Sequence, residues 1–158
     1  MSNIISSTAM IEEELRVHGC YASNTRGTSM EPLFRTHRDV VVILPVEGKL
    51  NKYDVPLYRN SAGDYVLHRI IGFYDGGYLI RGDNTFFTEH VPCSNIVGVL
   101  SEFNRKGKSH TCQDIGYMVY SRVWCFIYPV RYLLFRGRRI LSAIYHRFIK
   151  RDRGNTKK

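Results

Sequence analysis

Asp64-Tyr65-Val66-Leu67-His68-Arg69-Ile70-Ile71-Gly72-Phe73 leads through Asp75-Gly76-Gly77 into Tyr78-Leu79-Ile80-Arg81. Two runs rich in aliphatic, β-branched and aromatic residues around an Asp-Gly turn predict a β-hairpin. Working outward, Asp39-Val40-Val41-Val42-Ile43-Leu44 reads as a buried strand ended by Pro45. Tyr53 to Tyr58 reads as another, with Pro56 marking an edge or a bulge. Ile96-Val97-Gly98-Val99-Leu100 completes the set. Several short strands and few helical stretches predict a mainly β domain.

Three polar motifs punctuate these strands. Gly27-Thr28-Ser29-Met30-Glu31-Pro32 comes first, then Leu67-His68-Arg69 inside the hairpin, then Arg81-Gly82-Asp83-Asn84 at its end. A serine hydroxyl needs a base to take its proton as it attacks a carbonyl. Histidine, with an ordinary pKa of about 6.5, serves as that base and then as an acid near neutral pH. A carboxylate on the far ring nitrogen would fix the tautomer and stabilise the imidazolium. Ser29, His68 and Asp83 are therefore the candidate nucleophile, base and supporting acid, with Thr28 and Met30 as candidate oxyanion or substrate-binding neighbours. Taken singly each has a plainer reading: Ser29 in a polar turn, His68 as a strand histidine, Asp83 at a turn.

From about Gly19 to about Leu100 these motifs, in this order, resemble the signal peptidase I family and the wider group that includes the self-cleaving LexA-type repressors. Bacterial members place a lysine where this chain has His68. The His68-Arg69 pair is similar to the branch of the endoplasmic-reticulum and archaeal enzymes, which use histidine. The resemblance implies a signal-peptidase/LexA-like β catalytic domain in which an extended peptide lies along a sheet edge beside the serine. Many bacterial members carry a side-chain hydroxyl two residues before the nucleophile to help bind the oxyanion. That position is Gly27 here, which leaves the Ser29 amide as donor, with Thr28 as a candidate second. The activity implied is a serine endopeptidase cutting a precursor or leader peptide. The alternatives are a peptide-binding module of the same fold that does not cut, and a self-cleaving regulator. The last lacks both a helix-turn-helix and an Ala-Gly pair ahead of Ser29.

With 158 residues, 44% of them apolar, the chain suits one packed domain plus an appendage. Residues 1–114 carry twelve Lys/Arg against thirteen Asp/Glu, a net of −1, and residues 115–158 carry eleven against one, a net of +10. The organisation expected is a catalytic domain over 1–103, a linker or loop over 104–114, and an aromatic, basic, helical segment over 115–158. Pro129 and Gly137 are candidate kinks in that segment. Aromatic residues mixed with arginine suit peripheral contact with an anionic membrane, although Arg122 and Arg131 fall on opposite sides of an ideal helix. A helix packed on the domain or on a partner is the competing reading, and nucleic-acid binding is not expected because no recognisable module accompanies the charge.

At the amino terminus, Ser6-Ser7-Thr8 ahead of Ala9-Met10-Ile11 predicts a capped helix that Gly19 stops. The longest uncharged run there, Met1 to Ile11, is short of the ~20 apolar residues of a spanning helix. The location expected is therefore cytoplasmic, or peripheral at the inner membrane face. Cys20, Cys93, Cys112 and Cys125 are widely spaced and predict free thiols. The histidines show no metal-ligand spacing, and no metal or cofactor is expected.

Overall fold

The computed structural model describes residues 3–138, with side chains over 11–138. The protein is mainly β, with curled antiparallel sheets and helices near both termini. Two compact units divide it, Met1–Arg122 and Val123–Lys158.

The first unit opens with helix α1 (Asn3–His18). The helix begins ahead of Ser6-Ser7-Thr8, so these residues lie within it rather than capping it. Short polar residues are helix-tolerant when neighbouring turns supply the ladder, and start signals place boundaries only loosely. Its end is as expected: Gly19 takes φ +70°, where a side chain is disfavoured, and its N–H donates to the Leu15 carbonyl at 3.0 Å. Ile11 and Leu15, one turn apart, face the core.

Nine strands follow. β1 (Tyr21–Asn24), β2 (Val40–Leu44), β3 (Pro56–Arg59), β4 (Tyr65–Leu67), β8 (Ile96–Arg105) and β9 (Lys108–Thr111) form one sheet, in the order β1-β2-β8-β3-β4 with β9 also on β8. β5 (Arg69–Tyr74), β6 (Gly77–Arg81) and β7 (Glu89–Pro92) form a second sheet in chain order. Pro56 starts a strand, where its missing N–H is tolerated. β3 is not an edge, however: it lies between β8 and β4, with a bulge at Leu57/Tyr58.

The predicted hairpin is present, with Tyr74 paired to Gly77 across Asp75-Gly76 and Gly76 at φ +87°. What sequence reading took as one strand from Asp64 to Phe73 is two. The chain leaves the first sheet after Leu67 and joins the second at Arg69, so His68 sits at the junction. Segment 104–114, expected as a linker or loop, includes the end of β8, a turn and β9. Lys106 (φ 53°) and Gly107 (φ 78°) make the tight turn of the β8–β9 hairpin, and a polar turn of this kind looks like a loop in composition.

Asp114 then leads into α2 (Ile115–Phe126): its carbonyl accepts from the Met118 N–H, and its carboxylate accepts from Thr111. The helix is interrupted at Ile127, two residues before Pro129, and helical residues resume over 128–138. Gly137 is helical, next to the last described residue of that run. In the second unit Arg131 stacks 3.8 Å over the Trp124 ring, and Tyr128 stacks on Tyr132. The remainder of the predicted helical, basic segment, 139–158, lies outside the described residues. Among the described residues no helix is long and apolar enough to cross a membrane.

Two cores result. The larger, around Leu15, Phe34, Ile43, Leu57, Leu100 and Phe103, packs the six-stranded sheet against α1 and the start of α2. The smaller, around Leu50, Tyr58, Ile70, Tyr78, Ile80 and Val91, underlies the second sheet. Gly98 lets β8 and β2 close up, because a Cβ there would lie 2.5 Å from Ile43 Cγ2 and 2.9 Å from the Leu44 carbonyl. Gly98→Ala is therefore expected to destabilise the protein by about 1–3 kcal/mol through overpacking, read as a lower urea midpoint at unchanged slope. An unchanged midpoint would mean that β2 yields without cost.

Candidate active site

The serine loop is braced from both sides. Thr36 Oγ1 donates to the Gly27 carbonyl at 2.5 Å, and the Thr25 hydroxyl and amide tie the loop base to the Arg35 and Asp39 carbonyls. Met30, Leu33 and Phe34 are buried and anchor the loop in the larger core. Ser29 is half-buried at its turn. Gly27 takes φ +78°, a conformation that disfavours any side chain, which gives a backbone reason why no hydroxyl is found there.

The Gly82-Asp83-Asn84 turn meets this loop directly. The Asn84 amide donates to the Ser29 carbonyl at 2.7 Å, and Asn84 Nδ2 donates to the Thr28 carbonyl at 3.2 Å. Gly82 lies between the backbone of the serine loop and the His68 ring: a Cβ on it would fall 2.7 Å from the Ser29 carbonyl oxygen and 3.0 Å from His68 Cδ2. The glycine thus lets its turn approach the serine loop and the His68 ring at once.

His68 is 5% exposed. Its Nδ1 lies 3.0 Å from Glu89 Oε1 and 3.1 Å from the Tyr58 hydroxyl, which itself donates to Glu89 Oε1 at 2.8 Å. A carboxylate can only accept, so this network puts the ring proton on Nδ1 and the lone pair on Nε2. Nε2 is buried and makes no hydrogen bond. Burial lowers the His68 pKa below its ordinary value, opposed mainly by the Glu89 charge and hydrogen bond and more weakly by Asp83. The Tyr58 hydroxyl is pushed up by burial and by Glu89, so it remains a neutral donor.

The carboxylate beside His68 Nδ1 is Glu89, not the Asp83 expected from the sequence. Asp83 does not occupy Nδ1; its carboxylate receives Arg69 Nε and Nη2, each at 2.8 Å. Alternation along the hairpin explains why. Arg69 is paired with Arg81, so continued alternation places residue 83 on the face of residue 69, and His68 on the opposite face with Gly82. Ile70, Ile80 and Glu89 are aligned across the second sheet on the face that His68 shares. Glu89 lies on a short polar strand where no motif marks it, and only the register finds it.

Arg69 and Asp83 form a buried pair, with side chains 0% and 2% exposed. Arg69 Nη1 also donates to the Tyr53 carbonyl at 3.0 Å and to the Tyr117 hydroxyl at 3.1 Å. Tyr53 holds an uncommon φ of +81° to present that carbonyl. Burial opposes the Arg69 charge, but the Asp83 bonds and charge outweigh it and hold the pKa above that of a free arginine. Among the described residues no group of His, Cys, Asp and Glu is arranged to hold a metal.

Chemically, the site offers a half-buried hydroxyl, a neutral imidazole with its Nε2 lone pair shielded from water, a carboxylate behind it, and the Ser29 amide, which donates no hydrogen bond among the described residues. The two carboxylates separate by experiment. Asp83→Asn breaks a buried ion pair and is expected to cost about 3–5 kcal/mol, visible as a large fall in melting temperature. Glu89→Gln touches a half-exposed group and should leave that temperature within a few degrees. Because burial keeps the folded His68 neutral, the unfolded ring takes its proton first. The His68 contribution to stability is thus present above pH 6.5 and is lost as pH falls from 6.5 toward the lowered folded value. Equal melting losses for the two variants would refute the separation.

Comparison with models of known protein families and with curated proteins returns no match.

Proposed function

We propose that the protein is a serine endopeptidase of the signal-peptidase type, with Ser29 as nucleophile, His68 as general base and Glu89 as the carboxylate behind it. The observation that carries this reading is Gly82, packed against both the Ser29 carbonyl and the His68 ring, with the buried Nε2 unpaired. The curled antiparallel sheets, with the serine on the loop after β1 and the histidine at the β4–β5 junction, support a signal-peptidase/LexA-like fold.

In the proposed reaction Ser29 Oγ adds to the scissile carbonyl as its proton passes to His68 Nε2. The imidazolium is stabilised by Glu89, and the oxyanion faces the Ser29 amide. Collapse releases the amine, which takes the proton from Nε2. Water, deprotonated by the same nitrogen, then cleaves the acyl-enzyme and frees Ser29. β1 and β4 are the two ends of the five-strand path through the larger sheet and lead in sequence to Ser29 and His68. A substrate strand added to either would be delivered to the serine, with backbone bonds supplying affinity and small pockets selectivity. A precursor or leader peptide fits such a mode. Peptide holding without cleavage is the second reading, favoured by the absence of a hydroxyl at Gly27.

A diverse peptide library incubated with wild type and with Ser29→Ala, scored by mass spectrometry for new termini, tests the reading. Cleavage by wild type alone is expected. Identical spectra from folded proteins would overturn it in favour of the binding module. With a cleaved peptide in hand, activity should fall as pH drops through a value below 6.5, since His68 is held neutral by burial. Glu89→Gln should lower kcat by about tenfold or more and move that limb further to acid, because Glu89 raises the His68 pKa. A profile flat from pH 4 to 8 would exclude His68 as the base.

The second unit suits peripheral contact with an anionic membrane. Phe126, Val130, Leu133 and Leu134 are exposed, and residues 115–158 carry the net +10. Salt-sensitive co-sedimentation with vesicles containing phosphatidylglycerol, and not with phosphatidylcholine alone, is expected. Equal partitioning to both, or to neither, would remove this element.

A further inference from the structure

Helix α2 lies beyond Leu100, outside the stretch that carries the family resemblance, yet two of its tyrosines close over the buried ion pair. The Tyr117 hydroxyl accepts from Arg69 Nη1 at 3.1 Å, and the Tyr120 hydroxyl donates to Asp83 Oδ2 at 3.0 Å. Both rings stand against the guanidinium, at 5.5 and 5.8 Å from centroid to Cζ. We infer that Tyr117 and Tyr120 are positioning residues for the nucleophile: through Arg69 and Asp83 they hold Asn84 against the backbone of Thr28 and Ser29. The catalytic consequence rests on the peptidase reading, whereas the mechanical one does not.

The chain of contacts is continuous. Tyr120 and Arg69 between them fix both oxygens of Asp83. Asp83 is covalently joined to Asn84, whose amide and side chain make the two hydrogen bonds that seat the serine loop. On the other side Arg69 is the direct neighbour of His68, so the same pair steadies the strand that carries the base. An Arg–carboxylate pair open to water exchanges partners readily, whereas one shut under two aromatic rings keeps a single geometry. The tyrosines supply that cover, and the site is incomplete without α2.

The test uses Tyr120→Phe in the full chain, which removes one hydroxyl and keeps the ring. Amide hydrogen exchange at Asn84 should speed by about tenfold or more, and kcat on a cleaved peptide should fall by about tenfold with KM within twofold. Adding Tyr120→Phe to Asn84→Ala should cost nothing beyond Asn84→Ala alone, since both act through one clamp. Unchanged exchange at Asn84, or additive losses in the double variant, would overturn the inference. Should Tyr120→Phe lose its fold, Tyr117→Phe, which removes the hydroxyl that accepts from Arg69 Nη1 and keeps the ring, is read by the same exchange at Asn84. A wild-type protein that cuts no peptide would count against the peptidase reading, and Asn84 exchange would still decide whether α2 holds the serine loop.

Discussion

The buried pair between Arg69 and Asp83 is the constraint on which the rest of the structure depends. Two charges removed from water are tolerable only if every donor and acceptor is met. The fold meets them from three directions: the Tyr53 carbonyl from the loop before β3, Tyr117 and Tyr120 from α2, and the paired strands β5 and β6 from beneath. Each of these segments is thereby fixed relative to the others. The pair contributes less as net stabilisation than as a demand for one arrangement, because any slip would strand a charge in the interior.

That demand sets the chemistry next door. His68 and Arg69 are consecutive and point to opposite faces of the hairpin, one toward the smaller core and one toward the tyrosines. The same is true of Gly82 and Asp83. The imidazole occupies one face and the ion pair the other, and the alternation of a β-strand does the sorting. Glu89, two strands away from β5, completes the chemical face because it is in register with Ile80 and Ile70.

Much of this was legible in the residues. The Asp75-Gly76 turn and the apolar runs beside it announce the hairpin, and two of the three polar motifs, those of Ser29 and Asn84, meet through hydrogen bonds. Assigning Asp83 to His68 failed on parity, a piece of information the sequence contains once the 69–81 pairing is placed. Glu89 could not be found that way, since Thr88-Glu89-His90 has no pattern that separates a site carboxylate from a solvated one. The β8–β9 turn was missed because Asn104-Arg105-Lys106-Gly107 is as polar as a linker. The division of residues 64–73 between two sheets was also invisible: a break in pairing leaves no mark on hydropathy when both halves are apolar. For helix α2 the sequence leaves two readings open, contact with lipid and packing on the domain, because tyrosines that cap a charge look the same in sequence as tyrosines that meet lipid.

The place of His68 at the passage between the sheets has a mechanical consequence. A residue inside a single sheet is held on both sides by one ladder of hydrogen bonds, and it moves only when that ladder moves. His68 belongs to neither ladder: Leu67 before it is paired to Leu57, and Arg69 after it is paired to Arg81. A small rotation of one sheet against the other would therefore be concentrated in the φ and ψ of this one residue, and would swing the imidazole relative to the serine loop while both sheets stayed intact. The ring sits at a fulcrum, and the stiffness of the two sheets around it becomes a determinant of how far the imidazole stands from the serine loop.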